Sequence, residues 1–242
     1  MGLKKGRFSV ARVLVSARCH DRSMPENSAS IASFWDAFAA SFDEEADHGL
    51  RDPDVKAAWA ERLRSWMPDS PADVLDLGCG TGSLSLVLAE QGHRPVGVDL
   101  APLMIEQARR KLTAAGFDAV MMVGDAGNPP VQAGTSFDVI LSRHLLWTLP
   151  DPQEALRRWI GLLRPGGRLV LIEGRWASAE PGEDQSYVVG SEAMPWMGGV
   201  EAERLVRTLR PVVKTLRVEP LLDPALWGRS IQDERYAVVA FV

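Results

Sequence analysis

The chain has 242 residues, 46% of them hydrophobic and 24% charged, with a net charge of −5. That length suits one sizeable α/β domain, and the acidic balance offers no general attraction to a phosphate backbone, so nucleic acid is not the expected partner. The two cysteines, Cys19 and Cys79, lie in unrelated contexts and give neither a zinc spacing nor a disulfide framework; a reducing cytoplasm fits this usage.

Through Arg22 the chain is basic: Lys4, Lys5, Arg7, Arg12, Arg18 and Arg22 face one acid, Asp21. Residues 1–30 read as a flexible tail, with Met24 as an alternative start. From Ile31 the residues Ile31, Phe34, Trp35, Phe38 and Phe42 recur at helical spacing, with Ser30 or Asn27 as cap. A second helix is expected over about Pro53 to Trp66, carrying Val55, Ala58, Trp59 and Leu63. Residues 31–70 therefore read as a helical lid, and Trp59 and Trp66 as packing residues, since helical spacing accounts for them. Between the helices, acids surround His48.

Val74-Leu75-Asp76-Leu77 is a short apolar run holding one acid, and it leads into Gly78-Cys79-Gly80-Thr81-Gly82. A helical pattern follows to Gly92, then a second apolar run, Pro95 to Val98, ends on Asp99. Strand, glycine turn, helix, strand, acid is the nucleotide-binding half of a doubly wound sheet: glycine admits close backbone approach, and the acid can accept both ribose hydroxyls. The spacing is Gly-x-Gly-x-Gly, unlike the Gly-x-Gly-x-x-Gly of dinucleotide sites.

With Asp76 before it and Asp99 after the next strand, this stretch resembles motif I of the class I S-adenosylmethionine (SAM)-dependent methyltransferases. The resemblance is strong over about 73–173 and one of layout in the flanks. It implies a Rossmann-like doubly wound α/β fold: a seven-stranded sheet, mostly parallel with an antiparallel last strand, plus the N-terminal helical lid. The domain then spans 31–242.

A helix over Ala101 to Leu112 is expected to bury Leu103, Met104, Ala108 and Leu112. The third strand, Ala119 to Val123, delivers Asp125, and the fourth, Phe137 to Leu141, ends on Ser142-Arg143-His144. Asn128-Pro129-Pro130 precedes the fourth strand and reads as a loop, not as the Asn-Pro-Pro-aromatic signature of base-modifying relatives. Glu154 to Leu163 reads as a helix and Arg164-Pro165-Gly166-Gly167 as its capping turn into the fifth strand, Arg168 to Glu173. Residues 174–199, rich in Trp, Met and Gly, read as a substrate-side insertion. Val200 to Leu209 reads as a helix, and Val212 to Leu216 and Arg235 to Val242 as closing strands.

Carried onto these positions, the resemblance implies SAM as cofactor, leaving as S-adenosylhomocysteine (SAH), and no metal. Asp76, Gly78, Cys79 and Gly80 would face the methionine portion and ribose, Asp99 the ribose, and Leu100 and Met104 the adenine. Asp125 and Ala126 would read the adenine edge, with Ser142 or Arg143 near the methionine end. His144 lies beyond a strand's carboxyl end, where ligands of open α/β sheets bind, and is the first candidate for a general base or positioning residue; His48 is the second. His20 and His93 read as surface residues. The implied activity is methyl transfer to an O, N or C nucleophile of a small molecule, as in specialised metabolism. A modified peptide as acceptor, a silent SAM-binding subunit and an NAD-dependent oxidoreductase are the alternatives. A monomer or homodimer, free of membrane and nucleic acid, is expected.

Overall fold

The computed structural model describes residues 28–176, 191 and 194–242. The N-terminal tail read over residues 1–30 therefore lies almost wholly outside the described residues, as does most of the insertion read over 174–199. Seven strands, β1 (Asp73–Leu77), β2 (Arg94–Asp99), β3 (Val120–Val123), β4 (Phe137–Arg143), β5 (Leu163–Arg175), β6 (Thr215–Pro220) and β7 (Glu234–Phe241), form one sheet in the order β3-β2-β1-β4-β5-β7-β6. Pairings from β3 to β5 are parallel, and β7 runs antiparallel to both β5 and β6. This is the mostly parallel sheet with an antiparallel last strand read from the sequence.

The helices are α1 (Ser28–Phe38), α2 (Ala46–Gly49), α3 (Pro53–Trp66), α4 (Ser83–Glu90), α5 (Pro102–Ala114), α6 (Pro152–Gly161) and α7 (Ala202–Leu209). Strand periodicity of two sends alternate side chains to opposite faces. Leu75, Ile140, Leu169, Leu171 and Val238 pack with Leu156 and Trp159 of α6 and Leu205 of α7. Val74, Val139, Leu141, Val170, Ile172 and Val239 pack with Trp59 and Leu63 of α3 and Val87 of α4. Both faces are covered, so the central strands read as continuous apolar runs.

Trp59 and Trp66 are fully buried, and their indole N–H groups donate to the Leu226 carbonyl (2.6 Å) and the Glu219 carboxylate (2.8 Å). Both are packing residues, as helical spacing indicated. The Asp52 carboxylate caps α3 by accepting from the Asp54 and Val55 N–H groups at 2.8 and 3.2 Å.

Several readings shift. α1 is helical already at Ser28, the first described residue, so Ser30 lies inside the helix and is not its cap. Leu103 is 46% exposed, and Ile105 takes the buried position in its place. β6 runs Thr215–Pro220 rather than Val212 to Leu216, because Lys214, Thr215 and the residues after them pair with β7 while Val212 closes a turn on Leu209. α6 ends at Gly161 and is capped by Leu162, not by the later glycines. Leu163 and Arg168 both pair with β4, so residues 164–167 form a bulge within β5. Gly166 sits there at φ +80, and Arg164 bridges Asp73 and Asp138 at 2.7 Å each. His93 is half-buried, and its Nδ1 accepts from the Ala72 N–H at 3.2 Å.

Candidate functional site

β1 and β4 are paired neighbours at the centre of the sheet, where the strand order reverses, and the ends of β1, β2, β3 and β4 open on a cavity of about 470 Å³. α1 and α2 close it from above: Ile31, Trp35, Phe42 and His48 line its wall.

The glycine turn is tied to the end of β2. Gly78 and Cys79 both donate their N–H to the Val98 carbonyl, at 2.8 and 3.1 Å. The Gly80 N–H donates to Asp99 Oδ2 at 2.9 Å, while Asp99 Oδ1 accepts from the Ala101 N–H at 2.9 Å. Gly78, Gly80 and Gly82 all have positive φ, and a Cβ on Gly78 would lie 2.9 Å from Leu145, so glycine is required there. Burial pushes the Asp99 carboxyl above the usual range, against the hydrogen bonds from Ala101 and Gly80. Asp76 is buried, accepts from the Ser85 hydroxyl at 2.6 Å, and is raised to about 6 mainly by that burial. Burial and the carboxylates of Asp76 and Asp99 push the Cys79 thiol up, which leaves it un-ionised.

Asp125 follows β3 and accepts the Gly127 N–H at 2.8 Å, fixing its carboxylate beside Ala126. Leu100 and Met104 line the wall between Asp99 and Asp125. A second polar cluster ties the segment between α1 and α2 to the glycine turn. Asp43 accepts from the Thr81 hydroxyl at 2.5 Å and pairs with Lys111 at 2.8 Å, and Lys111 also donates to Thr81 and Ser83 at 2.9 and 2.7 Å.

His144 follows β4 with φ 55, a left-handed conformation rare for a side-chain-bearing residue. Its N–H donates to the Ile172 carbonyl at 2.9 Å, and the next two N–H groups, of Leu145 and Leu146, both donate to Glu173 Oε1 at 3.1 Å. Glu173, buried in β5, thus holds the backbone that turns His144 toward the cavity; burial raises its carboxyl to about 8. The imidazole stacks on Trp227 and meets Trp176 edge-on, with centroids at 5.8 and 4.7 Å. Its Nε2 is buried without a hydrogen-bond partner among the described residues. Burial, then the charges of Arg143, Arg235 and His48, push its pKa well below 6.5, so it is neutral at physiological pH.

His48 stacks on Phe42 at 4.4 Å and lies 3.7 Å from Asp47; burial and Arg143 lower its pKa. Arg143 donates to the Asp47 carbonyl at 2.6 Å and lies over the Trp59 ring. The cavity therefore gathers His144, His48, Asp76, Gly78, Cys79, Gly80, Asp99, Leu100, Met104, Asp125, Ala126 and Arg143. Ser142 is the exception: fully buried inside β4, it does not reach the wall. Sequence reading missed Trp227, which backs His144, and Arg229 and Arg235, which line the wall. Arg235 begins β7, a strand placed here only by its insertion beside β5.

The residues present fit SAM. A glycine cradle in which a Cβ would collide stands beside a carboxylate after β2, with a second carboxylate after β3. This sheet order is that of a Rossmann-like doubly wound fold, and this row of sites is the one that the resemblance to the class I SAM-dependent methyltransferases implies. Residues 75–171 match the family described as Methyltransferase domain.

The chain is 28% identical over 156 residues to a ubiquinone biosynthesis O-methyltransferase of Xanthomonas axonopodis pv. citri (strain 306), covering 64% of this chain and 62% of the relative. It is 40% identical over 101 residues to the aklanonic acid methyltransferase DauC of Streptomyces sp. (strain C5), covering 40% of this chain and 46% of the relative. It thus spans less than two thirds of the length of both. Among solved structures, the N-methyltransferase NodS from Bradyrhizobium japonicum WM9, in complex with SAH, superposes with a TM-score of 0.61. That likeness covers 86% of this chain and 97% of NodS at 19% identity, and shows the fold.

Proposed function

We propose that the protein transfers the methyl group of SAM to an oxygen, nitrogen or carbon nucleophile of a small molecule. The observation that carries this is the single cavity running from the Gly78–Gly80 turn, past Asp99 and Asp125, to His144. Bound SAM supplies an electrophilic methyl group on a sulfonium leaving group. Asp99 offers its carboxylate to the ribose, Asp125 and Ala126 face the adenine edge, and Asp76 and Arg143 take the ammonium and carboxylate of the methionine end. The lid held by Asp43 and Lys111 excludes water, and such fixed alignment can supply up to about 10 kcal/mol in the best intramolecular cases. His144, neutral and with Nε2 free, can accept the acceptor's proton or orient it.

The names of the relatives, with acceptors in ubiquinone biosynthesis and aklanonic acid, support a small molecule of specialised or cofactor metabolism. The same reading takes the protein to be cytoplasmic, a monomer or homodimer, to need no metal, and to act on neither nucleic acid nor a membrane. The net charge of −5 supports the exclusion of nucleic acid. Among the described residues no helix is long and apolar enough to cross a membrane. Titration calorimetry with SAM and with NAD is the test. Binding of SAM and not NAD is expected, and binding of NAD alone overturns the reading.

A further inference from the structure

The charged side chains of the cavity are not evenly mixed. Asp76, Asp99 and Asp125 stand in or just after β1, β2 and β3, on the side assigned to the methyl donor, and Glu45 and Asp47 stand beside His48 on the lid. Arg235, at the start of β7, packs on Trp176, which meets His144, and Arg229 lies in the loop before that strand, whereas Arg143 lies among the acids, donating to the Asp47 carbonyl.

Two of the three guanidiniums are committed. Arg235 donates to both oxygens of Asp233, at 2.8 and 2.7 Å, and lies between the Trp176 and Trp227 rings at 4.4 and 4.8 Å. Arg143 is held by the Asp47 carbonyl and is the cation available to the methionine carboxylate. Arg229 is exposed, and among the described residues it has neither an ion pair nor a hydrogen bond.

The base from which Arg229 projects is nevertheless fixed. Trp227 is buried and donates to the Leu221 carbonyl at 2.9 Å, and Trp59 donates to Leu226. Gly228 sits at φ +66, so close to α2 that a Cβ would lie 2.7 Å from that of Ala46. An uncommitted guanidinium on an anchored loop, at the rim of a cavity walled by Trp147, Trp176 and Phe42, suits a planar anion. Burial is the main reason that His144 is neutral, and the charges of Arg143 and Arg235, which add to it, would equally oppose a protonated amine beside it.

Building on the methyl-transfer reading, we propose that the acceptor is a small aromatic acid: its carboxylate is met by Arg229 and its ring enters the tryptophan-lined part of the cavity. The probes are para-hydroxybenzoate, its neutral amide and para-hydroxybenzylamine, titrated calorimetrically into the SAH-saturated protein. The acid is expected to bind about tenfold tighter than the amide, and the amine most weakly. Arg229→Ala should bring the acid to the level of the amide while SAH affinity and melting temperature stay as in the parent. The proposal is overturned if the acid does not bind, if amide or amine matches it, or if Arg229→Ala keeps the preference. SAH is titrated first, without acceptor. Failure at that step strikes the methyl-transfer reading, whereas SAH binding without preference for the acid strikes only the acceptor.

Discussion

The imidazole of His144 lies parallel to the indole of Trp227, 7° from coplanar at a centroid distance of 5.8 Å, and Trp176 meets it edge-on at 4.7 Å. Two residues distant in sequence thereby hold a ring whose Nε2 has no partner of its own among the described residues. If that nitrogen takes a proton from the acceptor, His144→Ala should lower turnover by roughly 10²- to 10⁴-fold while the affinity for SAM changes little. Steady-state kinetics beside SAM calorimetry separates the two, and full activity in the variant returns His144 to a packing role.

The same ring sets a pH dependence. A histidine whose folded pKa is depressed stays neutral in the fold while the unfolded chain takes up a proton near 6.5. Its contribution to stability is therefore complete above 6.5 and is lost as pH falls below it. For catalysis, the acid limb of kcat/KM governed by His144 should lie below 6.5. A limb at or above that value, absent in His144→Ala, would show that the ring is not held neutral as described.

Asp99 ties the glycine turn to the start of α5, since its carboxylate accepts from the Gly80 and Ala101 N–H groups. Asp99→Ala should weaken SAM binding by about 2–3 kcal/mol, or roughly 30- to 150-fold in Kd. Unchanged affinity would refute the ribose assignment, and the melting temperature of the variant shows whether the turn itself has loosened.

The residues proposed for the methyl donor could be placed at one edge of the sheet from the sequence because their determinants are local. Gly78, Gly80, Asp99 and Asp125 each follow a strand whose apolar run is explicit, and a parallel sheet brings strand ends to one edge. The acceptor half depends on closure in three dimensions. Arg229 and Arg235 reach the cavity, and Trp227 backs His144, only because β7 inserts antiparallel beside β5, and no periodicity near residue 230 announces that. Ser142 went astray for a related reason. As the penultimate residue of β4 it is fully buried on one face of the sheet, and the alternation gives Arg143 the opposite face, from which it lines the cavity. The bulge at 164–167 hid the true start of β5, since a proline and two glycines read locally as a turn.

The pairing of Asp43 with Lys111 fastens the lid, and burial pulls the Lys111 ammonium below the usual lysine range even beside this carboxylate. Removing one partner leaves a charge with poor hydration, so Asp43→Ala should cost about 3 kcal/mol of stability. Adding Lys111→Met should recover part of that loss, because the stranded ammonium is then gone. Chemical denaturation of the two single variants and the double variant gives the coupling. Strict additivity would mean that the two side chains do not act as a pair.

Glu173 offers the sharpest stability test, since its folded pKa of about 8 lies above its ordinary 4.5. Between these values the unfolded chain has released the proton and the folded chain has kept it, so stability falls as pH rises through the window. The slope is about 1.4 kcal/mol per pH unit for this group alone. Glu173→Gln keeps an oxygen for the Leu145 and Leu146 N–H groups and removes the titration. Its melting temperature should match the parent near pH 5 and exceed it near pH 9, with the gap opening progressively between. A gap that is constant with pH, or one that opens on acidification, would show that Glu173 is ionised in the fold and that its carboxylate, rather than a neutral acid, holds the His144 turn.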